Sequence, residues 1–119
     1  MSDFKMIEPY YPNVELADLL NNKYSLHLKQ DRFERLTKVF ENIFFDEIDQ
    51  VFLVDKNHIN GKELHVVTKN AVLLIFNAKS MKLITVFRPR MKQVERLYKK
   101  SKLDVPMEII RKTIDYGVR

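Results

Sequence analysis

Apolar residues change their spacing twice along this 119-residue chain, and the two changes split it into helices, strands and helices. Asn13 precedes Val14, Leu16, Ala17, Leu19 and Leu20, a pattern that predicts a short helix closing at Asn21-Asn22. Asp31-x-x-Glu34 has the form of a capping box, and Phe33, Leu36, Val39, Phe40, Ile43 and Phe44 follow at helical spacing. After Asp46 the period becomes extended. Residues 51–54 form a short apolar strand, Asn60-Gly61 is a hairpin signal, and residues 64–68 form the next strand. Residues 71–76 are apolar on both sides, as expected of a central strand covered on both faces. A turn at residues 77–80 leads to a last strand over 82–87. Met91, Val94, Leu97 and Tyr98 then give one helix an inward face, and Pro106 opens a second with Ile109, Ile110, Thr113 and Ile114 inside. The expected architecture is α+β in a single domain over residues 1–119. It has N-terminal helices, an antiparallel meander of three or four strands, two C-terminal helices and an irregular lead-in over residues 1–12.

Turn lengths predict which strand residues share a face. A two-residue turn at Lys69-Asn70 pairs His65 with Leu74, and a four-residue loop over 77–80 pairs Leu74 with Leu83 and Val72 with Thr85. Leu64, Val66, Leu73, Ile75, Ile84 and Val86 then form a dry face for helices to cover. His65, Val67, Lys69, Val72, Leu74, Leu83, Thr85 and Phe87 fall on the other. His65, Lys69 and Thr85 are therefore expected together, and a slip of one residue in either turn would separate them.

Composition narrows the chemistry. The chain is 45% hydrophobic and 31% charged with only 2 Gly and 4 Pro, which suits one packed domain. With no cysteine, it has neither a disulfide framework nor a thiolate nucleophile. Three histidines without ligand spacing point away from zinc, and no glycine-rich loop is present to cradle a triphosphate. Asp46, Glu47 and Asp49 cluster where helix gives way to strand, a place where carboxylates are ordinarily solvated. No metal and no cofactor are expected. The N-terminal residues carry no signal-peptide core and no apolar run is of membrane-spanning length, so a cytoplasmic protein without a membrane partner is expected. The net charge of +5 is unevenly spread. Residues 1–78 hold nine Lys/Arg against twelve Asp/Glu, whereas residues 79–119 hold twelve against four. A basic face of that kind suits a polyanion.

The strand over residues 82–87 ends in Arg88-Pro89-Arg90. Charge is kept out of cores unless something binds it, and guanidinium matches phosphate bidentately. Arg88 and Arg90 are thus candidates for holding a phosphodiester, and Lys92, Arg96, Lys99 and Lys100 extend them along the following helix. His65 and His27 are candidate proton carriers, each also readable as a histidine satisfied by a neighbour. Thr85 and Lys69 are candidate phosphate contacts, readable equally as an ordinary strand residue and a solvated turn residue. His58, beside Asn60-Gly61, reads as a loop residue.

Residues 62–67, 71–76 and especially Lys82-Leu83-Ile84-Thr85-Val86-Phe87-Arg88-Pro89 resemble the sheet of the barnase–EndoU–colicin–RelE group of ribonuclease toxins, in their small phage and polymorphic-toxin forms. Ile84-Thr85-Val86-Phe87 matches the ending frequent in the last strand of those domains. The likeness spans residues 25–98. The chain departs from the group in lacking a histidine just inside the helix after Asp31 and in carrying two further helices. The resemblance implies metal-independent cleavage of RNA by transesterification, with His27 as counterpart of the histidine often catalytic there, either His65 or His27 as base or acid, and Arg88 with Lys69 stabilising the extra phosphate charge. It also implies RNA as partner and an antitoxin or immunity protein as a possible second one. Two other readings stand beside it: a small regulator that grips nucleic acid through its basic C-terminal helix without catalysis, and a module whose acidic and basic halves pair head to tail in an oligomer.

Overall fold

The computed structural model describes residues 6–10, 46–55 and 61–117. The helices expected after Asn13 and Asp31 lie outside the described residues, as do His27, His58 and Asn60. Five strands form one antiparallel sheet in chain order: β1 (Met6–Tyr10), β2 (Ile48–Asp55), β3 (Lys62–Thr68), β4 (Leu73–Asn77) and β5 (Leu83–Phe87). Two helices follow, α1 (Met91–Lys100) and α2 (Met107–Gly117). The α+β class and the C-terminal helices agree with the sequence pattern. The sheet has five strands instead of three or four, because part of the expected lead-in is β1, with Ile7 opposite Val54 and Pro9 opposite Phe52. Proline cannot donate to a ladder, which argues against a strand in general but is tolerated at an edge, where β1 lies.

Both strand registers depart from the expected ones, and the turns explain why. Thr68 and Val72 close a three-residue loop: Thr68 N–H donates to Val72 O and Ala71 N–H to Thr68 O, both at 3.0 Å. Ala71 takes the left-handed conformation, φ 61°, that such a loop needs at its last position. The buried Thr68 hydroxyl accepts from Val72 N–H at 3.1 Å and seals the corner. The next loop runs from Asn77 to Lys82, with Met81 at φ 61°. Asn77 Oδ1 accepts from the N–H groups of Lys79 and Ser80, both at 2.9 Å. A register irregularity in β5 between Leu83 and Thr85 adds one more residue.

The outcome is a row of directly opposed residues across four strands, Phe52, His65, Ile75 and Thr85. Leu73 and Ile75 therefore belong to the face of His65, while Val72, Leu74 and Leu83 belong to the other, reversing their expected sides. One face joins Val51, Leu64, Val66, Val72, Leu74, Phe76, Leu83 and Val86, and among the described residues no helix contributes to it. The second face takes the helices: Val94, Leu97 and Tyr98 of α1 and Ile109 of α2 pack with Phe52, Val54, Val67, Leu73 and Ile75. Burying an aliphatic or aromatic side chain of this size contributes about 1.5–3 kcal/mol. Thr113, buried on α2, bonds back to Ile109 O at 2.7 Å. No helix among the described residues is long and apolar enough to cross a membrane.

Candidate functional site

Alternation along β3 sends Glu63 and His65 to the helix-bearing face, two residues apart and side by side. His65 Nε2–H donates to Glu63 Oε1 at 3.0 Å, the direction following from an ionised carboxylate's having only acceptors. The ring is 4% exposed, and its carboxylate partner is also largely covered. Across Ile75, in the same row, stands Thr85 on the edge strand β5, half-buried. Two strand spacings separate the backbones of His65 and Thr85, roughly 10 Å, with the Ile75 side chain as floor between them. His65 is thus closed off from solvent, while Thr85 at the sheet edge is partly exposed.

β3 and β5 run parallel, so Lys69 and Arg88 both lie toward the end of the sheet where those strands finish. Lys69 has an ionic partner there: its Nζ is 2.7 Å from Glu47 Oε2. That contact holds the Glu47 carboxyl below its ordinary range and the Lys69 ammonium above its own. Arg88 follows the end of β5 and is half-buried, with the buried Pro89 behind it. Two strand spacings and three residues separate it from His65, roughly 14 Å between backbones. The structure therefore brings His65 and Thr85 into one row, sets Arg88 beyond the end of that row, and ties Lys69 to a carboxylate.

The clustered acids serve separate partners. Asp46 Oδ1 accepts from Glu47 N–H at 2.9 Å, and Glu47 binds Lys69. Asp49 sits in the register irregularity of β2 between Ile48 and Gln50, and it accepts from the Tyr98 hydroxyl at 2.6 Å. Tyr98 is 2% exposed and packs edge-on against Phe52, ring centres 4.9 Å apart. Burial, then the bond to Asp49, raises the Tyr98 pKa far above that of free tyrosine.

Arg90, Lys92, Arg96, Lys99 and Lys100 are all exposed on α1 or at its start. Arg90 N–H donates to Gln93 Oε1 at 2.9 Å, which satisfies one of the open donors of the first turn. Glu95 approaches Lys99 at 3.8 Å on the flank.

Glu63 went unnoticed in the sequence, although Glu-x-His on a strand is the signal: a spacing of two puts both side chains on one face. No protein-family model matches the chain, and the searches of curated proteins and of solved structures return nothing similar.

Proposed function

We propose that this protein is a metal-independent endoribonuclease of toxin-like type, with His65 at its centre. The observation that carries the reading is the row that places an imidazole, held by a carboxylate, and the hydroxyl of Thr85 on one face of the sheet with Ile75 between them. A histidine can give or take a proton near neutral pH, and a carboxylate on its ring nitrogen fixes its orientation. One proton task falls to His65 and the other to His27. A base removes the ribose 2′-hydroxyl proton, the oxygen attacks the adjacent phosphorus, the bond to the 5′-oxygen breaks, and an acid protonates that leaving oxygen. The products are a 2′,3′-cyclic phosphate and a free 5′-hydroxyl. Thr85 orients a phosphate oxygen, and Arg88 supplies fixed positive charge where the phosphorane gains it. Lys69, committed to Glu47, has no part in the step.

The test is to incubate purified protein with total RNA in EDTA. Cleavage by the native chain that disappears in His65→Ala is expected, together with poor growth of cells expressing the native chain and normal growth with the variant. RNA left intact by a folded native protein would end the proposal. The exposed cations of α1 favour a second reading, a regulator that binds nucleic acid without cutting it. It predicts tight binding that His65→Ala leaves unchanged and no cyclic-phosphate product.

A further inference from the structure

Lys92, Arg96, Lys99 and Lys100 recur at intervals of four, three and one, which on a helix confines them to an arc of about 100°. Val94, Leu97 and Tyr98, the buried residues of α1, point the opposite way. The cationic row is therefore the crest of the helix, turned straight outward, and the exposed Arg90 caps the helix end that follows β5. Each step of four residues advances about 6 Å along the helix. That is close to the separation of successive phosphates along one nucleic-acid strand, and a flexible single strand can follow this short, slanting row where the fixed path of a duplex backbone cannot adjust to it. The crest carries no aromatic side chain to stack on a base and no Asn, Asp or Glu to read one; Gln93 and Glu95 lie on its flanks. Its chemistry is that of backbone contact alone.

We infer that the outer crest of α1 is a track for a single-stranded nucleic acid, gripped through consecutive phosphates without regard to sequence and delivered to the partly exposed, β5 side of the His65–Thr85 row. The inference rests on the proposed function for the choice of nucleic acid as ligand, and it adds the strand state, the absence of base readout and the direction of approach.

A single-stranded oligodeoxythymidylate tests it without cleavage, since DNA lacks the 2′-hydroxyl that the proposed reaction requires. Fluorescence anisotropy over a potassium chloride series should give log K falling against log salt with a slope of about −2.8, from roughly 0.7 per phosphate contact and four contacts. Lys92→Ala/Lys99→Ala should make the slope shallower by about 1.4, while Lys79→Ala, on the distant β4–β5 loop, should leave it unchanged. All three sites are exposed, so equal melting temperatures exclude misfolding as the cause. An oligodeoxyadenylate should bind within a few-fold of the thymidylate. An unchanged slope in the double variant, tighter binding of a duplex of equal length, or equal affinity for polyglutamate would each overturn the track. Binding as described with RNA left uncut would retain the track and reject only the nuclease.

Discussion

Two polar pairs lie on the helix-bearing face of the sheet, and they differ in what they join. Tyr98 and Asp49 are 49 residues apart in sequence, and their bond fastens α1 to the start of β2. Glu63 and His65 are two residues apart on one strand whose direction already fixes them side by side. The first pair adds a long-range constraint to the fold. The second joins neighbours on one strand, and it keeps an imidazole and a carboxylate in a region where apolar residues would spare their desolvation. A buried polar pair within one strand is a candidate for chemistry, and a pair that spans the fold is a candidate for stability.

Substitution should separate the two most sharply at the ring positions. His65→Ala is expected to lower RNA cleavage by about 10²–10⁴-fold, the usual contribution of a positioned acid or base. The same change should reduce stability by only about 1–3 kcal/mol, the cost of leaving Glu63 without that donor. Tyr98→Ala reverses the balance, removing a buried aromatic at about 3–5 kcal/mol. Urea melts beside single-turnover cleavage assays give both numbers. If His65→Ala proved the more destabilising of the two, the histidine would be a packing residue and the distinction would fail.

How much of this was open to sequence reading depended on distance along the chain. The inward residues of α1 and the apolar strands were legible because a helix or strand period repeats locally. The cationic crest of α1 was legible for the same reason. The faces of β4 were not: a three-residue loop ending in left-handed Ala71 replaces the expected two-residue turn, and one extra residue exchanges every side. His65 and Thr85 nonetheless share a face, because the second loop and the β5 irregularity shift the register again, by an odd number of residues. Agreement there came from two compensating departures. β1 was hidden by its proline and by a partner some forty residues on, and the Asp49–Tyr98 bond by the register irregularity that local pattern does not announce.

Tyr98→Phe isolates the bond from the ring. The ring still packs on Phe52, while Asp49 loses its donor, so the cost falls to about 1–3 kcal/mol. The native chain should also carry an alkaline signature that the variant lacks. The Tyr98 pKa is raised on folding, by burial first and by Asp49 second. Its contribution is therefore complete below about pH 10, where an unfolded tyrosine titrates, and declines as the pH rises above that. Thermal melts from pH 8 to 11 should show the native protein losing stability faster than Tyr98→Phe. Parallel curves would mean that the hydroxyl is not held as described.

The smallest effect belongs to Lys69 and Glu47, an exposed pair at the end of the same sheet. The Lys69 hydrogen bond and charge lower the Glu47 pKa, so its contribution is present above pH 4.5, the ordinary value, and fades as the pH falls through the depressed one. Lys69 shifts upward, so its contribution is complete below pH 10.5 and fades as the pH rises further. Between those limits the pair gives a flat plateau, and solvent and salt screen whatever it supplies. Lys69→Ala should accordingly leave both the melting temperature near neutral pH and the rate of RNA cleavage indistinguishable from native. A marked loss of cleavage with unchanged melting would place the ammonium in the reaction, and would show that a lysine tied to a carboxylate in the free protein exchanges that partner for a phosphate when RNA binds.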